Sequence, residues 1–218
     1  MGRVITAAEV QSPGTVGLAR WLIGKTLVST RGARRVAVRI TEVEAYHTER
    51  DLACHASKGR TPRTETLYGA GGIWYVYFVY GMHHMLNLVT GPKGQPSAVL
   101  IRGVESVSGP GRVTRALGID MSFNRAAAAP SSGLHLEDDG VDIPRRLIRS
   151  SPRIGVDYAG PVWAGKRWRF NRVPGAAPTR TIAPHPRARG GASSSGCRPA
   201  PKTPSSCRSP KRPGGRGR

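Results

Sequence analysis

Residues 71–82 constrain the fold more than any other stretch, because the eight residues at 73–80 are all aromatic or β-branched. Such side chains fill the pleated surface of a β-strand. Apolar residues occupy both odd and even positions, which predicts a strand covered on both faces. Gly81 ends the run, so Tyr80 is predicted to lie near the tip of a hairpin. Considered alone, the segment fits an ordinary core strand equally well.

A second strand is predicted where Val36, Val38 and Ile40 alternate with polar residues and share one face. Continuing that alternation places Glu42 and Glu44 on the same, apolar face. A carboxylate directed at a core is costly unless it has a partner or reaches a cleft. The alternative is that the strand ends before Glu42 and leaves both glutamates in water.

Further strands are predicted at residues 84–90 and 97–104, and helices at residues 16–23 and 113–119. Arg102 shares a face with apolar neighbours in its strand and therefore needs an acidic partner, for which Glu44 is the candidate. Asn87 interrupts an apolar strand, a position usually held by a hydrogen-bonded structural residue.

Basic side chains outnumber acidic ones by 34 to 13, which gives a net charge of +21 over 218 residues. The first 173 residues carry 24 basic and 13 acidic side chains, a net charge of +11. This excess favours a polyanion or an acidic surface as partner. Charge sets non-specific affinity rather than sequence preference, so ribosomal, DNA-binding and membrane-surface proteins all remain possible at this point.

The chain divides into one folded domain, residues 1–173, and a tail, residues 174–218, which is rich in Pro, Gly, Ser and Arg. The tail has almost no large apolar residue and is predicted to be disordered. No segment resembles a signal peptide or a membrane span, so a soluble cytoplasmic protein is expected.

Cysteine and histidine residues do not predict a disulfide framework or a metal site. There are three cysteines, and two of them lie in the tail. Cys54 and His55 are adjacent, as are His83 and His84, whereas zinc ligands are typically separated by two to four residues.

The predicted strands bring together a carboxylate, an arginine and several tyrosines on a basic protein. A carboxylate that activates water, surrounded by aromatic rings, suits hydrolysis of an N-glycosidic bond in nucleic acid. The base must leave the stack to be reached, and aromatic faces then replace its lost neighbours.

Several spaced motifs in one order resemble the alkyladenine (3-methyladenine) DNA glycosylase family over about residues 15–170. The motifs are Glu42-Val43-Glu44-Ala45-Tyr46, His55, Thr61-Pro62-Arg63, the block at residues 75–82, Asn87, Val99-Leu100-Ile101-Arg102, Gly109-Pro110-Gly111, the block at residues 116–119 and Arg153-Ile154-Gly155.

The resemblance implies a single α+β domain around a curved antiparallel β-sheet, with a protruding β-hairpin and peripheral helices. It implies a monofunctional base-excision-repair glycosylase that acts on double-stranded DNA as a nucleoid-associated monomer. Alkylated purines such as 3-methyladenine and deaminated purines such as hypoxanthine would be flipped out and hydrolysed without strand cleavage. No cofactor, metal or membrane is implied.

The resemblance also implies a role for each matching residue. Glu44 would be the general base on the attacking water, which Arg102 would help to hold. Tyr80 would be the wedge that enters the minor groove in place of the flipped nucleotide. Asn87 would line the pocket floor and disfavour guanine. Three residues would stack around the flipped base: Tyr46, His55 and Tyr77.

Two regions depart from the family pattern. Only three residues separate Glu105 from Gly109, where the family carries a longer, largely helical segment, and the sequence after Gly160 differs from the usual closing strand. The alternative function is therefore a basic DNA-binding protein on the same fold with lost or weak catalysis.

Overall fold

In the computed structural model, the described residues are 2–11, 14–173, 175 and 179–180. The strands are β1 (Arg3–Val4), β2 (Thr26–Arg31), β3 (Arg34–His47), β4 (Trp74–Val79), β5 (His83–Val89), β6 (Ser97–Val104), β7 (Val107–Ser108), β8 (Leu134–Asp138), β9 (Val141–Asp142), β10 (Ile148–Ser151), β11 (Arg169–Arg172) and β12 (Thr179–Arg180). The α-helices are α1 (Ala7–Gln11), α2 (Thr15–Leu22), α3 (Pro110–Leu117) and α4 (Gly160–Ala164). Short 3₁₀ turns include His55–Lys58 and Asp157–Ala159.

An antiparallel sheet in the order β1-β8-β2-β3-β6-β5-β4 organises the domain. The first half of β3 pairs with β2, and its second half lies between β6 and β11. Glu44 therefore stands opposite Leu100 on β6 and opposite Arg169 on β11. The prediction of an α+β domain built on an antiparallel sheet with a few helices is confirmed, and the described residues belong to one compact unit.

Helix α2 and one face of the sheet enclose the main core. The core contains Leu18, Leu22, Ile40, Val43, Trp74, Leu88, Ile101 and Phe170, among others. Trp74 is completely buried, and its Nε1 donates a hydrogen bond to the carbonyl of Leu134 at 2.9 Å. The indole thus packs in the core and also ties β4 to the start of β8.

Replacing Trp74 with Ala is expected to lower the free energy of unfolding by about 3–5 kcal/mol, because it leaves a cavity in the core. It also removes one of the two side-chain donors to the Leu134 carbonyl. Urea denaturation followed by circular dichroism measures the change. Met121→Ala is the matched control, since this side chain is 45% exposed and should change stability by less than about 0.5 kcal/mol. A loss below about 1 kcal/mol at Trp74 would contradict the core assignment.

The alternative in which the strand ends before Glu42 is wrong, since β3 continues to His47. The prediction that Glu44 lies on the apolar face of the strand is also wrong. The pairing of β3 with β6 is irregular between the pairs Ile40–Val104 and Val43–Ile101, which are separated by two residues on each strand. Across this irregularity the core-facing positions of β3 change from even to odd residue numbers. Val43 and Ala45 therefore continue the core, and Glu44 faces the opposite side, where the cavity described below lies.

The predicted aromatic strand is present as β4, but only its first half is covered on both faces. Trp74, Tyr75 and Val76 are buried, whereas Phe78 is 46% exposed. The strand runs past the end of the core toward the turn that joins it to β5. Its aromatic character there has to be explained by something other than core packing.

The shortened region after β6 forms a tight connection to β7, which pairs back onto β6 through Val104 and Val107. Helix α3 begins at Pro110, three residues before the predicted start, because proline favours the first turn of a helix. β11 closes the sheet beside β3 despite the unusual sequence that precedes it.

The predicted basic tail lies outside the described residues, apart from Gly175 and β12, which pairs with β9. Among the described helices, none combines the length and apolar character needed to cross a membrane.

Candidate active site

Glu44 is a completely buried carboxylate that receives three hydrogen bonds. The Tyr46 hydroxyl donates to Oε2 at 2.8 Å, and the backbone amide of Ile154 donates to Oε1 at 2.8 Å. Arg102 Nη1 donates to Oε2 at 3.4 Å, the longest of the three contacts. Hydrogen bonds to the charged form are what keep a buried carboxylate from losing its charge.

Burial raises the pKa of the Glu44 carboxyl, and Arg102, the Ile154 amide and the Tyr46 hydroxyl oppose that rise. Burial and the neighbouring Glu44 charge raise the pKa of Tyr46 well above its ordinary value, so the phenol stays protonated and remains a donor. A raised pKa makes a carboxylate a stronger proton acceptor, which is what a general base requires.

Arg102 lies between two carboxylates, as its position on a buried face predicted. Its Nε contacts Glu42 Oε1 at 3.1 Å, closer than its contact with Glu44. Arg169 Nη1 also reaches Glu42 Oε1, at 3.2 Å. Arg102 would therefore keep an acidic partner, Glu42, if its contact with Glu44 were broken.

A cavity of about 350 Å³ opens beside this carboxylate. It is lined by Tyr46, Ala53, Cys54, His55, Arg63, Leu67, Tyr75, Tyr77, Val79, Tyr80, Met85, Asn87, Ala98, Leu100, Arg102, Pro110, Ile154, Gly155, Val156 and Tyr158. Glu44 lies immediately behind this lining, where it contacts Tyr46, Arg102 and Ile154. One of these side chains must shift before a reacting molecule can touch the carboxylate.

Aromatic rings form one wall of the cavity. The His55 and Tyr77 rings meet edge to face with centroids 4.6 Å apart, and the Tyr75 and Tyr77 rings lie 5.3 Å apart. The Arg63 guanidinium lies 5.5 Å from the centre of the Tyr77 ring. A planar heteroaromatic molecule can stack against such a wall.

His55 is neutral at physiological pH, since burial and the nearby Arg63 and Lys58 lower its pKa to about 4. Its Nδ1 lies 3.0 Å from the Tyr75 hydroxyl, and burial raises the pKa of that tyrosine to about 12. The wall therefore presents neutral rings over the whole range in which a cellular enzyme works.

Asn87 is buried and belongs to the lining of the cavity. Its Nδ2 donates to the carbonyl of Tyr75 at 3.1 Å and to that of Met85 at 3.3 Å. Both contacts fix the amide. Asn87 is therefore a hydrogen-bonded structural residue and also part of the cavity lining. A fixed amide discriminates between ligands better than a mobile one.

Tyr80 occupies the turn between β4 and β5, where Met82 N donates to the carbonyl of Val79. Both Tyr80 and Gly81 have positive φ, at 55° and 67°, as in the type I′ turns that suit twisted hairpins. A bulky residue in this conformation is uncommon and costs energy. The ring is 82% exposed and also borders the cavity, so packing does not explain it.

Six of the seven predicted site residues thus line one cavity, and Glu44 lies directly behind it. Sequence reasoning assigned no role to Tyr75, although it shares a strand face with Tyr77, which was a usable signal. It also assigned no role to Ile154 or Tyr158, which come close to the cavity only through tertiary folding. Among the described residues, no group of three or more His, Cys, Asp or Glu side chains could hold a metal ion.

Comparisons with known proteins agree with one another. The sequence model of a family described as Methylpurine-DNA glycosylase (MPG) matches residues 9–174. A protein of Myxococcus xanthus (strain DK1622) is 47% identical over 162 residues, which cover 70% of this chain and 82% of the relative. One of Methanocella arvoryzae is 44% identical over 176 residues, covering 72% and 86%, and one of Borreliella afzelii is 40% identical over 173 residues, covering 74% and 91%. Each of the three is named "Putative 3-methyladenine DNA glycosylase".

Proposed function

Since the chain belongs to the methylpurine-DNA glycosylase family, as its motifs predicted, we propose that it is a monofunctional DNA glycosylase that removes damaged purines from double-stranded DNA. The observation that carries the proposal is the pairing of a buried, three-fold hydrogen-bonded carboxylate with an aromatic cavity. This arrangement supplies a base for water and a stacking site for a planar leaving group.

Recognition begins when the damaged nucleotide leaves the duplex. The extruded purine stacks on the wall formed by His55, Tyr75 and Tyr77. Tyr46 lies between this site and Glu44, to which its hydroxyl donates. Unstacking costs about a few kcal/mol and is cheapest for damaged or mispaired bases, which gives a first level of selection. The exposed ring of Tyr80 enters the gap in the base stack.

Hydrolysis follows by a single displacement. Glu44 accepts a proton from a water molecule while the water oxygen bonds to the sugar C1′ and the bond from C1′ to the purine nitrogen breaks. The purine leaves with the bonding electron pair. Arg102 moves from Glu44 toward that water, and Glu42 retains its other end. Alkylated purines leave most easily, since their positive charge is neutralised on departure.

The rate of base release is expected to rise with pH through the raised pKa of Glu44, because only the ionised carboxylate accepts the proton. The acid limb should therefore lie above the ordinary glutamate value of about 4.3. Single-turnover rates between pH 4 and 8 on one substrate measure it, and the residual rate of Glu44→Gln should lack the limb. A rate that falls as the pH rises from 4 would contradict the assignment.

Asn87→Ala is expected to relax discrimination against purines with a 2-amino group, because the fixed amide no longer occupies the cavity floor. The release of 7-methylguanine relative to hypoxanthine should rise by about tenfold or more. Competition between two labelled duplexes in one reaction measures this ratio. An unchanged ratio would show that Asn87 serves only to bridge the two strands.

Product analysis tests the proposed reaction class. Mass spectrometry of the reaction should find the free purine and a strand with an abasic site, and the strand should break only after alkali treatment. A strand that is cut without alkali, or an enzyme–DNA adduct trapped by borohydride, would indicate lysine chemistry and contradict the proposal.

A further inference from the structure

Asp51 and Arg153 form an ion pair in which both side chains are completely buried. Arg153 Nη1 lies 2.5 Å from Asp51 Oδ2, and Nη2 lies 2.8 Å from Oδ1, which is the bidentate arrangement. Nη1 also donates to the carbonyl of Ala45, and Nη2 to that of Trp163. Neither Asp51 nor Arg153 is among the described residues that line the cavity.

The pair joins three segments that carry the site. Asp51 accepts hydrogen bonds from the backbone amides of His47 and Ala53, and so shapes the segment between β3 and His55. The carbonyl of Ala45 belongs to β3, one residue after Glu44. Arg153 directly precedes Ile154, whose amide donates to Glu44. A shift of Arg153 would therefore move that amide.

Arg153 also contacts the second donor of Glu44. Its guanidinium carbon lies 4.8 Å from the centre of the Tyr46 ring and 5.2 Å from that of Trp168. A guanidinium over an aromatic face is an attractive contact that is strengthened by burial. Arg153 thus helps to position two of the three donors to Glu44. Its backbone directly precedes the Ile154 amide, and its guanidinium contacts the Tyr46 ring.

Stability alone is a weak reason for such a pair. Burying two charges costs desolvation energy, and apolar replacements of buried pairs are often neutral or stabilising. Arg153 Nε is moreover buried with no hydrogen-bond partner among the described residues, which adds to the cost. Unlike an apolar cluster, the pair makes directional contacts: hydrogen bonds to the carbonyls of Ala45 and Trp163, and a cation–π contact with Tyr46.

We propose that Asp51 and Arg153 are positioning residues that hold the Tyr46 hydroxyl and the Ile154 amide on Glu44. The inference rests on the proposed function, since it concerns the general base of that reaction. Without the pair, Glu44 stays buried but loses the donors that favour its ionised form and fix its direction.

Glu44 is surrounded by few other charged or titratable groups. Arg102 faces it from β6, Arg169 from β11 and Glu42 from its own strand. Tyr46 and Tyr77 border it from the cavity side. None of these is altered by substitution at Asp51. Removing the Asp51 charge by itself lowers the pKa of Glu44, so a rise of the Glu44 midpoint in an Asp51 variant reports the loss of its donors.

The test compares Asp51→Asn, Arg153→Lys and the control Lys25→Met with the parent chain. Lys25 is a buried cation that pairs with Asp138 and with the more exposed Asp142, and its described contacts include no cavity residue. The measurements are the single-turnover rate on a hypoxanthine duplex, the affinity for that duplex, and the titration of Glu44. Carboxyl ¹³C resonances give this titration in the free protein, assigned by the signal lost in Glu44→Gln.

Both site variants should release base about 10- to 100-fold more slowly, as for small misplacements of catalytic groups, with affinity within about twofold of the parent. The Glu44 midpoint should move to higher pH in both variants, whereas Lys25→Met should change only the melting temperature. Arg153→Lys separates the effects, since it retains the charge and loses the bidentate geometry.

Parent-like rates and Glu44 titrations in both variants would overturn the proposal, as would slow rates with an unchanged Glu44 midpoint. Failure of both variants to fold while Lys25→Met folds would also overturn it, because the pair would then be a requirement of the fold. The titration needs no activity. A parent chain that releases no base would refute the proposed function and leave this test intact.

Discussion

Glu44→Gln is expected to slow base release from a damaged duplex by about 10²–10⁴-fold, the contribution typical of a general base. The amide keeps the shape of the carboxylate but cannot take the proton from water. Single-turnover kinetics with enzyme in excess measure the chemical step without product release. Affinity for the duplex should stay close to that of the parent, because Glu44 lies behind the cavity lining and the binding surface is unchanged.

Glu44→Gln should lose activity without losing stability. The folded-state pKa of Glu44 lies above its unfolded value, so ionisation of the buried carboxyl costs stability as the pH rises above that unfolded value. Glu44→Gln removes this cost and should unfold at no lower temperature than the parent at neutral pH. Glu137→Gln is the matched control, because Glu137 is a buried carboxylate that pairs with Arg35 and His135 and lies outside the cavity lining. Its effect on rate should stay below about tenfold. Equal losses in the two variants would contradict the assignment of the base.

Tyr80→Ala is expected to slow release from duplex DNA by about 10- to 100-fold, since no ring then fills the gap left by the flipped nucleotide. The estimate follows from an unstacking cost of about a few kcal/mol, only part of which the ring offsets. Release from a single strand, where no stack has to be opened, should change by less than about twofold. The ratio of the two rates in one preparation is the measurement.

Tyr80→Phe is the control, because it keeps the ring and removes only the hydroxyl, and it should behave like the parent on both substrates. The Ala variant should keep the parent's melting temperature within about a degree or two, as the side chain is 82% exposed. A Tyr80→Ala variant that loses activity on single strands and duplexes alike would show that the ring acts on the cavity instead of the base stack.

The strands were predictable because their residue types and alternation are local properties. The predicted strands at residues 84–90 and 97–104 correspond closely to β5 and β6, and the predicted helix at residues 16–23 corresponds to α2. Glu44 shows where local reasoning fails. Alternation alone placed it on the core side, and the irregular pairing of β3 with β6 between Ile40 and Val43 placed it on the cavity side.

Many of the residues of the candidate site could be predicted from the sequence, whereas its geometry could be predicted only in part. A resemblance carried by several motifs identified six of the residues that line the cavity. The Ile154 amide, the second partner of Arg102 and the buried pair of Asp51 with Arg153 depend on contacts between segments far apart in sequence. No periodicity within one segment encodes such contacts.

The alternative of a DNA-binding protein without catalysis began from the shortened segment after Glu105. In the structure that segment is a compact connection to β7, and β11 pairs with β3 directly beside Glu44. The sheet around the carboxylate is therefore continuous on both sides. Catalysis is expected despite the departure from the family pattern.

The most direct test of the account is single-turnover release of hypoxanthine from a duplex that carries one such base. It is measured at neutral pH with the fraction of bound DNA followed in parallel. The account predicts that free hypoxanthine accumulates until nearly all of the bound substrate has reacted. A folded protein that binds the duplex fully and releases no base would contradict it, and would leave DNA binding as the activity of this fold.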